Sequence, residues 1–198
     1  QVYQKRPSGL GAKELSAPRA EIAHQRRDGV DTWPTTRTEA DVAGNPRRTW
    51  DAADRVVLEQ THDLLGRTLR GRSVDAGESA QLHAADGVVL VERTARGHRI
   101  RREYDRLRRL TQLLVDDGTG ERVVERIEYG EALGDATNHR GRVHRSFDGA
   151  GIFRTHGYDH RGRAVLVGRR LLRDPGLEVD WRSEPALDGE ELVEVSRH

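Results

Sequence analysis

RVHRSFDGAGIFRTHGYDHRGRAVLVGRRLL, residues 142–172, contains one short pattern twice. In each copy an aromatic residue precedes an Asp, and a Gly stands three positions after that Asp: Phe147, Asp148 and Gly151, then Tyr158, Asp159 and Gly162. The Asp carboxylate can accept hydrogen bonds from backbone N–H groups two residues further on, and Gly readily takes the positive φ that a chain reversal needs. The pattern therefore predicts a strand, a tight turn and a second strand.

The same pattern recurs upstream, from residue 35 onward. Its aspartates lie 10 to 12 residues apart and are Asp41, Asp51, Asp63, Asp75 and Asp86. Such spacing accommodates one short strand and one turn, but it is too short for a helix with its connections. We therefore expect an all-β fold, a ribbon of antiparallel hairpins.

Certain residues of this pattern are expected to form the turns or to stack beside them. Besides the six residues of the opening stretch, they are Asp41, Gly44, Trp50, Asp51, Asp63, Gly66, Tyr104 and Asp105. We expect the aromatic members to stack across neighbouring strands. Three turns depart from the pattern, because Asp54 and Arg108 stand where Gly is expected and the turn at Asp86 looks contracted.

The composition favours thin sheets or an open repeat over a thick globular core. Of 198 residues, 34% are hydrophobic and 34% are charged. The 34 basic and 33 acidic residues nearly cancel, so there is no surplus of positive charge for nucleic acid or a membrane surface. The absence of Cys excludes disulfides and thiolate metal sites, and no apolar run is long enough to span a membrane.

Three regions are expected along the chain. Residues 1–34 form an irregular lead with a short helix over 17–27, which Ser16 would cap and Pro18 would begin. Residues 35–173 form the repeat β-sheet, interrupted by a loop at 130–139. Residues 174–198 form a charged tail in which 185–195 could be a second short helix. The absence of Met, with Gln at position 1, predicts a processed product or a piece of a longer polypeptide.

No residue set predicts catalysis, a cofactor or a metal. His156 and His160 have the spacing of metal ligands on a helix, but on a strand and turn they would lie about 13 Å apart. A pair of carboxylates could be imagined as a glycosidase couple, yet nothing in the sequence selects two of them. The arginine-rich stretches 99–102 and 106–109 could bind RNA. The acids between them favour a solvated face of cross-strand ion pairs instead.

Several phrases of the sequence resemble, in order, the YD repeats of Rhs proteins. They are more narrowly similar to the shell proteins of insecticidal toxin complexes. The phrases lie at residues 63–67, 73–78, 96–105, 127–131 and 138–172, and together they span about 38–181. The family's self-cleaving segment has no counterpart here, although Asp174-Pro175-Gly176 matches part of it.

The resemblance implies a β-sheet ribbon that forms part of a hollow, secreted shell around a toxic polypeptide. Its partners would be the remaining parts of the toxin shell, the enclosed toxin cargo and a delivery or pore component. The wall itself would need no catalytic group and no cofactor. Two alternatives stay open: a surface adhesion or carbohydrate-binding module built on the same repeats, and an enzymatic effector domain carried by a Rhs protein.

Overall fold

The computed structural model describes residues 3–4, 19–27 and 29–195. The described residues form β-strands joined by short turns, with one 3₁₀ helix at Glu131–Leu133. The chain divides into two compact units, Gln1–Arg96 and Gly97–His198. The expected all-β hairpin fold is confirmed in both units.

The first unit is an antiparallel meander. Its strands are β1 (Tyr3–Gln4), β2 (Arg19–Ile22), β3 (Gln25–Arg27), β4 (Val30–Thr32), β5 (Thr35–Ala40), β6 (Pro46–Trp50), β7 (Val56–His62), β8 (Thr68–Ser73), β9 (Gly77–His83) and β10 (Val89–Arg93). From β5 to β10 each strand pairs with the next one in the chain. Strands β1 and β2 extend this sheet beside β5, whereas β3 and β4 form a separate hairpin.

The second unit repeats the same architecture. Its strands are β11 (Arg99–Tyr104), β12 (Leu110–Asp116), β13 (Glu121–Tyr129), β14 (Val143–Asp148), β15 (Gly151–Tyr158), β16 (Ala164–Leu171) and β17 (Leu192–Val195). Each of them pairs antiparallel with the next. The connections are short except for residues 130–142, between β13 and β14, and residues 172–191, between β16 and β17.

Burial differs between the two units. Among the described residues, all the buried hydrophobic side chains belong to the second unit: Leu114, Val123, Phe147, Leu172, Val179 and Trp181. The described part of the first unit, with its main sheet and the β3–β4 hairpin, has no buried side chain, and Trp33 and Leu64 are largely exposed. The thin sheets expected from the low apolar content are therefore present.

The core of the second unit forms where residues 174–187 return across the sheet. Trp181 is only 1% exposed, and its ring lies 5.1 Å from the ring of Phe147 in an edge-to-face contact. The backbone N–H of Trp181 donates to the carbonyl of Val123 at 2.9 Å, and the N–H of Val123 donates to Asp180 Oδ1 at 3.1 Å. This segment, which we call the strap, is therefore an integral part of the core.

Three expectations from the sequence are wrong. In place of a helix over 17–27, the described residues form β2, which pairs with β5, and β3, which pairs with β4; these ladders satisfy the backbone groups of a segment that has few apolar anchors for a helix. Residues 17 and 18 lie outside the described part. In place of a helix over 185–195, β17 pairs with β16. The region from 174 is also more than a charged tail, because Val179 and Trp181 are buried.

Candidate functional site

The recurring turns are the most regular feature of the chain. In the turn that begins at Asp63, Oδ1 accepts the N–H groups of Leu65 and Arg67, each at 2.9 Å. The Asp63 carbonyl accepts the N–H of Gly66 at 3.0 Å, and Gly66 has φ +77°. One carboxylate thus satisfies two backbone donors inside a five-residue turn.

Four further turns share this geometry. They begin at Asp41, Asp51, Asp105 and Asp159, and in each the carboxylate accepts the N–H groups of the third and fifth residues at 2.8 to 2.9 Å. The fourth residue takes a positive φ in all of them, as Gly44 and Gly162 do. Asp54 and Arg108 keep the conformation, with φ of 59° and 64°, so the missing glycines leave the turns intact at the cost of some backbone strain.

An arginine closes most of these turns. In four of the five, the last residue is Arg, and its Nε donates to the second carboxylate oxygen: Arg55, Arg67, Arg109 and Arg163. At the turn of Asp41, Asn45 takes this place and donates from Nδ2 at 3.0 Å. Each turn is therefore held by charge-assisted hydrogen bonds to both oxygens of one Asp.

Two of these arginines also reach the neighbouring turn of their own unit. Alternate connections of a meander lie at the same edge, so the turns 63–67 and 84–88 are neighbours. Arg67 Nη1 donates to the carbonyl of Ala84 at 2.7 Å. In the second unit, Arg109 Nη1 donates to Glu131 Oε1 at 2.6 Å, and the Arg109 guanidinium lies 3.8 Å from the centre of the Tyr129 ring. Hydrogen bonds from arginine side chains thus connect neighbouring turns within each unit.

The carboxylates of the turns are held ionised. Hydrogen bonds from the fifth residue's N–H are the largest cause of the lowered pKa of Asp51, Asp63 and Asp105. The same bond, from Arg163, lowers the pKa of Asp159 to about 2. For Asp41 the largest cause is the side-chain amide of Asn45. A group held this firmly as an anion is suited to fixing backbone and poorly suited to proton transfer near neutral pH.

Two turns begin at a different residue from the one that the sequence predicted. The turn near Asp86 is full length and begins at Ala84, whose carbonyl accepts the N–H of Gly87 at 3.0 Å. The turn near Asp75 begins after Ser73, whose hydroxyl accepts the N–H of Asp75 at 3.3 Å. Asp75 and Asp86 are therefore tip residues and do not take the place of Asp63. The sequence did not distinguish the two cases, because an Asp can stand at the first position of a turn, as Asp63 does, or at its tip, as Asp86 does.

Asp148 belongs to a different kind of turn. It pairs directly with Gly151 across a two-residue connection, and its Oδ1 accepts the N–H of Ala150 at 2.8 Å. Burial raises its pKa, but hydrogen bonds from Arg169 and Ala150 outweigh burial and leave the pKa lowered. Gly151 has φ +138°, and a Cβ there would overlap the carbonyl oxygen of Arg170 on β16. The glycine is required for close strand approach as well as for the turn.

The aromatic residues expected to stack have mainly arginine partners. Trp50 faces its cross-strand partner Arg37, whose guanidinium lies 4.5 Å from the ring centre. Corresponding distances are 5.6 Å for Arg108 over Tyr104, 4.0 Å for Arg126 over Phe147 and 5.5 Å for Arg142 over Tyr158. Tyr158 also contacts the ring of His139 at 5.3 Å, and Phe147 contacts Trp181. These cation–π contacts place aromatic surface beside the turns.

A row of alternating charge crosses one face of the first unit. Its members are direct cross-strand neighbours on five successive strands: Glu39, Arg48, Glu59, Arg72 and Glu78. Arg48 Nε lies 2.8 Å from Glu59 Oε1. In the second unit Arg101 bonds Glu121 at 2.8 and 3.0 Å and Glu103 at 2.5 Å. The ion-paired surface expected from the sequence is therefore present.

The histidines at metal-ligand spacing do not come together. His156 lies beside Glu191, with Nε2 3.2 Å from Oε1, while His160 is at the exposed tip of its turn. Within residues 3–4, 19–27 and 29–195, no group of three His, Asp or Glu side chains could hold a metal ion. No helix in the same part of the chain is long and apolar enough to cross a bilayer.

Similarity to known proteins appears at the level of structure. No protein-family model and no curated protein matches the sequence. Solved chains do match: the crystal structure of TcdB2-TccC3 has 23% identity and a TM-score of 0.79, and it covers 91% of this chain. The Tc holotoxin pore of Photorhabdus luminescens matches with the same identity, TM-score and coverage. This chain spans about a tenth of the length of those chains. The chain therefore has the fold seen in Tc toxin complex chains, as the resemblance to the Rhs shell implied.

Proposed function

We propose that this chain is a structural, non-enzymatic segment of a toxin-complex shell that encloses a toxic polypeptide and helps to deliver it. The observation that carries the proposal is the meander of Asp-held turns, which matches Tc toxin complex chains over 91% of the chain. The proposed partners are the other parts of the shell, the enclosed cargo and a delivery or pore component. The proposed location is extracellular.

The turn geometry supports a wall role. A sheet only one layer thick has little core to hold it, so its stability must come from the strand ladders and their connections. Each Asp-centred turn fixes one connection, and Arg67 and Arg109 join neighbouring connections. Local hydrogen bonds of this kind suit an extended sheet, because they do not depend on a central core.

The faces of the first unit support enclosure of a polypeptide. The row from Glu39 to Glu78 gives one face a polar stripe of alternating charge, in which Arg48 pairs with Glu59. A stripe whose charges alternate in sign offers little net attraction to an unfolded chain. Such a face would let a cargo remain mobile inside a shell.

Limited proteolysis of the native polypeptide that contains this chain tests the proposal. If the chain is shell wall, a segment elsewhere in that polypeptide will resist protease in the intact assembly and become sensitive once the wall is opened by Gly151→Ala. The Gly149→Ala variant is the matched control, because a Cβ at Gly149 meets nothing within 4 Å. A polypeptide with no protected segment would contradict enclosure. A discrete monomer that binds glycans would favour the adhesion module instead.

A further inference from the structure

Two histidines of the second unit converge on one backbone oxygen. His139 Nε2 lies 2.8 Å from the carbonyl oxygen of Thr155, and His144 Nδ1 lies 3.3 Å from the same atom. The two rings are 5.3 Å apart, edge to face. His139 is 1% exposed and Thr155 3% exposed, so this cluster is among the most enclosed polar groups of the chain.

Both ring nitrogens of His139 have hydrogen-bond partners. A carbonyl oxygen only accepts, so Nε2 donates to Thr155. Nδ1 lies 2.6 Å from Thr137 Oγ1 in the 130–142 loop. The His139 ring is therefore fixed between the loop and β15.

The groups around the pair disfavour positive charge. Burial is the largest cause of the lowered pKa of His144 and outweighs the hydrogen bond to the Thr155 carbonyl, which raises it; the charged groups that act on it are basic: His139, Arg154 on β15 and Arg145 on β14. Arg142 lies 5.5 Å from the Tyr158 ring, which itself contacts His139. The nearby acids are engaged elsewhere, because Glu128 pairs with Arg145, Glu131 with Arg109 and Asp135 with Arg140.

The cluster anchors the 130–142 loop to β15. The carbonyl of Thr137 accepts the N–H of Tyr158 at 3.0 Å, and Asn138 Nδ2 donates to the Tyr158 carbonyl at 2.9 Å. His139 packs so tightly against Gly130 that a Cβ there would overlap it. The loop therefore closes the end of β15 next to the turn at Asp159, and His139 is the side chain that it buries.

We propose that His139 and His144 form an acid-sensitive latch, which holds the 130–142 loop on β15 while His144 is neutral and releases it when His144 is protonated. A histidine that resists protonation in the folded state stabilises that state above its ordinary pKa of 6.5, and the contribution is lost as the pH falls below that value. The release is local, because the strap and the β12–β13 core carry no histidine. The latch would operate whether or not the chain forms part of a shell.

Hydrogen–deuterium exchange tests the latch on the intact chain at about pH 7.5 and about pH 5, with rates corrected for the intrinsic effect of pH. Protection of the 130–142 loop and of the Tyr158 N–H should fall at least about tenfold at the lower pH, while β12 keeps its protection. His144→Phe retains an aromatic ring and removes the titrating group, so the loss of protection at about pH 5 should disappear. His160→Ala, at an exposed turn tip, should behave as the unchanged chain. Equal protection at both pH values, equal loss in β12, or an unshifted response of His144→Phe would overturn the latch.

Discussion

Arg67 Nη1 donates to the carbonyl oxygen of Ala84 at 2.7 Å, and this bond joins two turns that are far apart in sequence. The same guanidinium is oriented by Asp63, which accepts from its Nε at 2.5 Å. Asp63 thus has two roles: it accepts the backbone hydrogen bonds of its own turn, and it orients Arg67 toward the turn at Ala84. This double use of one carboxylate explains how a sheet without a buried side chain in the described first unit keeps its edges in register.

Arg67→Lys tests this connection. Lysine keeps the positive charge but lacks the planar fork that bonds Asp63 and Ala84 together. We expect faster amide exchange at Gly66 and at Gly87, whose N–H donates to the Ala84 carbonyl, with little change in far-ultraviolet circular dichroism. Arg55→Lys is the matched control, because its side chain is 77% exposed and pairs with Asp51 within its own turn. Equal effects of the two substitutions would show that Arg67 does not join turns.

Ala84→Asp and Asp63→Ala form a reciprocal test of the turn carboxylate. The Ala84 turn has the backbone bonds of the others, with its N–H donating to the Val88 carbonyl at 2.9 Å, but its first residue has no carboxylate, and the Val88 N–H donates to Asp86 Oδ1 at 3.3 Å instead. Supplying Asp there should raise the melting temperature, and removing it at Asp63 should lower the melting temperature. Asp86 stands two residues away and will reduce the gain through like-charge repulsion. A decrease for Ala84→Asp would argue that the carboxylate is not what stabilises these turns.

Gly151→Ala should strongly destabilise the second unit. The new Cβ would overlap the carbonyl of Arg170, and the backbone would have to keep a φ of +138°. Strain of this kind costs about 1 to 3 kcal/mol of unfolding free energy, and β16 would have to shift as well. Urea unfolding measures the change. Gly149→Ala lacks both problems and should lie within about 1 kcal/mol of the unchanged chain.

Much of this architecture was predictable because its signals are local. Turn residues that recur every 10 to 12 positions mark the chain reversals, so the ribbon of strands from β5 to β16 was predictable, whereas the register of the turns near Asp75 and Asp86 was not. The false helix over 17–27 arose from capping residues that are equally local, whereas the strand pairing with β5 and with β16 that replaced the two expected helices is a long-range effect. The strap was missed for the same reason. Val179 and Trp181 were its only sequence signal, as apolar residues within a charged stretch.

Trp181→Ala should therefore cost more than any substitution in the first unit. The side chain is 1% exposed and fills the space between the strap and Phe147, so its loss should reduce the unfolding free energy by about 3 to 5 kcal/mol. Trp33→Ala is the control, since that ring is 61% exposed. Chemical denaturation followed by circular dichroism measures both. Similar small losses would show that the strap does not complete the core.

We expect the turn at Asp159 to lose its carboxylate hydrogen bonds over a narrow range of acidic pH. Because the pKa of this carboxyl falls from 3.8 to about 2 on folding, its contribution is complete above the ordinary value and disappears as the pH falls toward about 2. The amide of Gly162 should keep its protection to about pH 4 and lose it below. In Asp159→Asn this dependence should vanish, whereas Asp135→Asn, at an 80% exposed side chain, should retain it. A pH response in Asp159→Asn equal to that of the unchanged chain would refute the assignment.

Cryo-electron microscopy of the native polypeptide that contains this chain tests the central claim most directly. We predict that β5 to β17 will lie in a single-layered wall around an enclosed space that holds additional polypeptide density. A reconstruction in which these strands form a separate domain outside any enclosed space would contradict the account.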